Sequence, residues 1–141
     1  MSSSFSLYKT AFKGMQYLAN YFDSFYMKRE YNRNFERIAI MKKWCDEHEK
    51  KLFMLANSGC LTFCSAHNFH DNLVAHEDEI SQMDNAYNFC GVCKDFLKIE
   101  DNRFKLPQYT NFVRPEDISK YDNLFEAAKL ATRVHNNPEK V

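Results

Sequence analysis

The chain has 141 residues, 45% of them hydrophobic, and its 19 Lys and Arg balance 19 Asp and Glu to a formal net charge of zero. That composition excludes wholesale disorder, and the length fits one domain spanning 1–141 with a real core. With three Gly and three Pro, tight turns are scarce, which favours helices over a many-stranded sheet.

From Phe5 to about Ala56 the only glycine is Gly14, and there is no proline. Leu18, Phe22 and Phe25 are spaced to share a helix face, and Phe35, Ile38, Ala39 and Met41 continue the pattern. The spacing predicts helices over 5–27 and 31–56, bending near Asn32 and stopping at Asn57-Ser58-Gly59. A thiol-rich stretch follows. A third helix is expected from His70-Asp71 to about Tyr87, on Leu73, Val74, Glu77, Ile80 and Met83. Cys90-Gly91-Val92-Cys93 reads as a turn, after which Phe96, Leu97 and Ile99 return to the core. Residues 101–115 hold Pro107 and Pro115 and read as a loop or one short strand pair. Arg114-Pro115-Glu116-Asp117 opens a last helix, with Pro in the first turn and acids at its positive end. That helix would bury Ile118, Tyr121, Leu124, Phe125, Ala128 and Leu130 and end near Asn136-Asn137-Pro138. The expected fold is therefore mostly α: a single small helical domain of four or five helices, with a zinc-stapled Cys-rich segment and little or no β.

The zinc expectation rests on two thiol pairs, Cys60-x3-Cys64 and Cys90-x2-Cys93, with 25 residues between them. Each pair can supply two ligands from one turn, and Zn–S bonds of about 2.3 Å close a tetrahedron around them. Were 60–70 helical, Cys60, Cys64 and His67 would fall on one stripe. His67 or His70 could replace a thiol, and Cys45-x2-His48 is a further candidate pair. The metal-binding segment is thus placed at 60–93, with Cys60, Cys64, Cys90 and Cys93 as ligands. Cys45, His48, His67 and His70 are the alternates. The competing reading is that some of these are buried structural thiols.

Catalytic patterns are few. Cys90-Gly91-Val92-Cys93 has the spacing of a redox dithiol, but polar residues 81–87 precede it where a buried strand would be needed. There is no Glu-x-x-His for a di-iron bundle, no Gly-rich phosphate loop and no H-E-x-x-H. His76 and the acids after it read as a solvated face.

Charge is uneven: 1–43 carries +5, 44–89 carries −6 and 90–141 carries +1. Arg29, Arg33 and Arg37 recur at i, i+4 and i+8 beside Lys28, Lys42 and Lys43, with Tyr21, Tyr26 and Tyr31 interleaved. Such a stripe can neutralise phosphates and stack unpaired bases. It can equally be a solvated helix side paired to Glu30 and Glu36, or a face docking on the acidic 71–84 segment.

No stretch approaches 18 apolar residues, so no membrane span is expected. An odd five cysteines without an export signal fit a reducing cytosol. The functional expectation is a non-catalytic, zinc-binding regulatory or adaptor protein acting on a protein partner. Its Asn-rich, Ala-poor composition suggests a viral or phage factor modulating host transcription, RNA metabolism or defence. The alternatives are an RNA-binding module using the 28–43 face and a small metal- or thiol-dependent enzyme.

Overall fold

A computed structural model of the chain describes residues 12–62, 64–75, 91 and 93–131. Two compact units emerge: Met1–Gly59 with Asn111–Val141, and Cys60–Thr110 between them in sequence. The candidate metal-binding segment 60–93 falls inside the second.

The first unit is mixed α/β, which corrects the expectation of a mostly helical chain with little or no β. Its elements are α1 (Phe12–Leu18), β1 (Ser24–Tyr26), a 3-10 turn (Arg29–Tyr31), α2 (Phe35–Glu47), β2 (Lys51–Leu55), a 3-10 helix (Pro115–Tyr121) and β3 (Ala127–Lys129). The strands form a parallel sheet in the order β1-β2-β3, with Phe25 opposite Leu52 and Met54 opposite Ala128. Parallel neighbours need a crossover, and the segment carrying α2 supplies the first one. On one face of the sheet Phe25, Leu52 and Met54 are buried with Ile38, Met41, Trp44 and Cys45 of α2, and with Met15 of α1. Phe25 and Trp44 meet edge to face, ring centres 6.1 Å apart. Full burial of each such side chain stabilises by about 1.5–3 kcal/mol. The alternate residues, Tyr26 and Phe53, pair on the other face at 5.4 Å.

The predicted helix over 5–27 is thus α1 followed by a strand, its first residues lying outside the described ones. The predicted helix over 31–56 is α2 and then β2. Asn34 caps α2, its side chain accepting the Arg37 N–H at 3.0 Å. The helix stops at Glu49, which adopts a left-handed φ of 53°. Lys50 N–H bonds back to Cys45 O at 2.8 Å, and Glu49 N–H to Asp46 O at 3.4 Å. This pair of bonds is the Schellman arrangement. Because the left-handed residue is Glu rather than Gly, no breaker in the sequence marks the stop.

A buried polar network fixes the loops around β2. Asn32 Nδ2 donates to Leu55 O at 2.8 Å and Asn111 O at 2.9 Å. Tyr121 Oη donates to Asn32 O at 2.7 Å, and Arg29, only 8% exposed, donates to Ser58 Oγ at 3.1 Å.

The predicted last helix is a 3-10 helix ending in a turn, where Asn123 takes a left-handed φ of 60°, and then β3. Of the residues assigned to its buried face, Tyr121 is buried, Leu124 and Phe125 pack partly against the core, and Ile118, Ala128 and Leu130 are exposed.

The second unit contains short helices: α3 (His67–Ala75), α4 (Cys93–Lys98), α5 (Glu100–Phe104) and α6 (Leu106–Tyr109). Its ends close on each other, Thr62 N–H donating to Tyr109 O at 2.7 Å beside an antiparallel bridge between Leu61 and Thr110. Residues 101–109, expected as loop or strands, are helical, with Pro107 in the first turn of α6. The helix expected from His70 begins at His67, and the part predicted over 76–87 lies outside the described residues. Phe96 packs on Tyr109, with ring centres 5.4 Å apart, but Ile99 is exposed.

Candidate metal centre

Cys60 and Cys64 enter the second unit on a turn, where Cys64 N–H donates to Leu61 O at 3.1 Å. The Cys64 carbonyl then accepts two bonds from His67, from its backbone N–H at 3.2 Å and from its ring Nδ1 at 3.0 Å. A neutral imidazole donating through Nδ1 carries its lone pair on Nε2, which is how ligating histidines are commonly held. One turn further along α3 is His70, and Cys93 opens α4.

Gly91 links these two. A Cβ placed on it would lie 3.3 Å from Cys93 Sγ and 3.6 Å from Nδ1 and Cε1 of His70. An imidazole and a thiol from different helices therefore border one backbone position. Cys90 lies outside the described residues. Among the described residues no three of His, Cys, Asp and Glu converge as a metal-binding group. The fold described is accordingly not a zinc-stapled helical domain, and the donors it brings together are the pair at Gly91. Cys60, Cys64 and Cys93 are half-buried, as is His70.

The pair Cys45-x2-His48 belongs to the first unit and behaves differently. Cys45 is fully buried in the core of that unit. Burial, with Asp46 nearby, pushes its thiol up to about 11, so it stays protonated at neutral pH and is a poor ligand. His48 stacks on Trp44 with ring centres 4.5 Å apart, and its Nδ1 bonds to Trp44 O at 2.8 Å.

The basic residues do not form a stripe on one helix. Lys28 and Arg29 are in the chain after β1 and Arg33 is in a turn, so of the three arginines Arg37 alone is on α2, with Lys42 and Lys43. Arg29 is buried on Ser58. Arg33 donates to Phe112 O through Nε at 3.2 Å and Nη2 at 2.6 Å. Arg37 lies 4.5 Å over the Tyr31 ring. Three guanidiniums spaced as a phosphate-binding face thus each have work inside the first unit. Periodicity missed this because the helix on which it relied begins only at Phe35. It also missed Asn32 and Gly91, which carry no chemical signature in a single sequence.

No helix among the described residues is long and apolar enough to cross a membrane. Compared with known protein families, with characterised proteins and with solved structures, the chain matches none.

Proposed function

We propose that the chain is a non-catalytic metal-binding protein, whose second unit takes up Zn²⁺ and presents an apolar surface to a protein partner. One observation carries this reading. Among the described residues, the twelve buried hydrophobic side chains all belong to the first unit, and those of Cys60–Thr110 are half-buried or exposed. Phe69, Ile99, Phe104 and Tyr109 are exposed instead, Phe104 to 80%. Described apolar side chains left this incompletely covered leave room for another source of stability. Metal binding can supply about 10 kcal/mol where the ligands are thiolates and imidazoles, and Cys60, Cys64, His67, His70 and Cys93 are all in this unit. Exposed aromatic and aliphatic side chains, in turn, suit a protein-binding surface.

The test is metal content combined with limited proteolysis of the full chain. Purified protein is expected to carry about one zinc per chain. Chelation is expected to open cleavage sites within 60–110 while the first unit resists. Metal-free protein with an unchanged digestion pattern would overturn the reading. The RNA-binding alternative draws less support, since Arg29, Arg33 and Arg37 are engaged within the protein. The enzyme alternative would use Cys90 or the His67/His70 cluster, and a metal held with all four positions filled by protein ligands would count against it.

A further inference from the structure

The chemistry of the second unit turns on a residue with no side chain. At Gly91, the 3.3 Å between a hypothetical Cβ and Cys93 Sγ is tighter than ordinary van der Waals contact, and the His70 ring stands at 3.6 Å on the same Cβ. A methyl group there would press on the thiol and abut the imidazole. Both neighbours are positioned by their helices. His70 N–H donates to Ala66 O at 2.9 Å, which sets it in the first turns of α3. Gly91 O accepts the Lys94 N–H at 2.9 Å, which folds the chain so that Cys93 comes back over the glycine.

We propose that His70 and Cys93 are two ligands of a tetrahedral site for a Zn²⁺-type cation with mixed nitrogen and sulfur donors. Gly91 is the spacer that lets them share it. This rests on the metal-binding reading above and extends it by naming two of the donors, one nitrogen and one sulfur, so that the set is mixed rather than four thiolates. Zn–N bonds of about 2.0–2.1 Å and Zn–S bonds of about 2.3 Å put two donors on a tetrahedral ion roughly 3.5 Å apart. A Cβ at Gly91 would occupy ground those donors need. On binding, Cys93 releases its proton to solvent and coordinates as thiolate, while His70 coordinates as neutral imidazole. Nitrogen and sulfur donors in a tetrahedral set select Zn²⁺ and its chemical relatives over Mg²⁺ or Ca²⁺.

Titration of the metal-free full chain with Co²⁺ tests this, because thiolate-to-cobalt charge transfer and the visible d–d bands report the donors. The wild-type chain is expected to show both. His70→Ala should weaken Co²⁺ binding by about tenfold or more, on the scale of losses at metal sites. His70→Cys should restore binding with d–d bands moved to longer wavelength, as sulfur replaces nitrogen. Gly91→Ala should weaken binding without changing the circular dichroism of the metal-free chain. If wild type binds Co²⁺ and His70→Ala binds it equally well with the same bands, His70 is not a ligand; the metal reading survives on thiols and this proposal falls. If folded wild type shows no cobalt bands, the metal reading itself falls and takes the proposal with it.

Discussion

Asn32 shows how much one polar side chain can hold. Its side-chain Nδ2 donates to the carbonyls of Leu55 and Asn111, and its backbone carbonyl accepts from Tyr121, so segments far apart in the chain meet at this residue. Truncation would leave two carbonyls without these donors, at about 1–3 kcal/mol for each buried unsatisfied group. Asn32→Ala is therefore expected to cost roughly 3 kcal/mol or more in urea unfolding, well beyond an ordinary surface change. Phe25 is the fully buried aromatic and Phe22 only a partial one. Phe25→Ala should accordingly cost about 3–5 kcal/mol, and Phe22→Ala clearly less. Cys45 adds a pH dependence. Its thiol is raised from 9.0 to about 11 by burial, so the native state holds the proton more tightly than the unfolded chain. The resulting stability is present in full below the ordinary thiol value and is lost as pH rises through about 11. Melting temperature should fall more steeply over that window in wild type than in Cys45→Ala, and equal slopes would show that the thiol does not contribute.

Elements in this chain end by backbone geometry rather than by conspicuous breakers. Glu49 sits at φ 53° where a glycine would carry no Cβ penalty. Glu49→Gly is expected to raise stability by up to about 1 kcal/mol, and Glu49→Val to lower it, by thermal unfolding. A loss on going to glycine would mean the Glu side chain is needed for a contact of its own. The 3-10 helix Pro115–Tyr121 is held at its surface by Asp117, which accepts from Lys120 at 2.7 Å and Arg114 Nε at 2.8 Å. Those bonds, Lys120 first, hold the Asp117 carboxyl below its ordinary value. Their contribution is present above the unfolded carboxylate value and is lost as pH falls through the lower folded one. Its exposed position makes it small. NMR titration of Asp117 should show the downward shift, and Lys120→Met should reduce it.

At the scale of the molecule, the opposed charge blocks of 1–43 and 44–89 do not require docking of one on the other. Ion pairs within the first unit include Lys42–Asp46 and Lys43–Glu47 along α2, with Lys50–Asp23 and Lys51–Glu126 near the strands. Exposed pairs of this kind contribute about 0–1 kcal/mol each. The arginines have a structural part to play here. Replacing Arg29 and Arg33 together with Ala is expected to lower the stability of the first unit, by loss of the bonds to Ser58 and Phe112. Metal addition, by contrast, should protect amides of 60–110 from hydrogen exchange far more than those of β1 and β2. Equal protection of both units would count against the proposed division of labour.

The sequence by itself determined that this chain could build an apolar core, and that it held clustered thiol and imidazole donors. It also placed the amphipathic stretch that became α2, because Ile38 and Met41 repeat at helical spacing. Tertiary structure decided the rest. Short apolar runs such as Ser24–Tyr26 and Lys51–Leu55 fit a helix face or a buried strand equally well. Only the pairing of Phe25 with Leu52 and Met54 with Ala128, over the core of α2, selects the strand. Whether an arginine faces solvent or a carbonyl 79 residues away, and whether His70 and Cys93 both border Gly91, depends on long-range backbone placement. Local periodicity does not encode that placement, because contacts distant in sequence are fixed by burial and register rather than by neighbours along the chain.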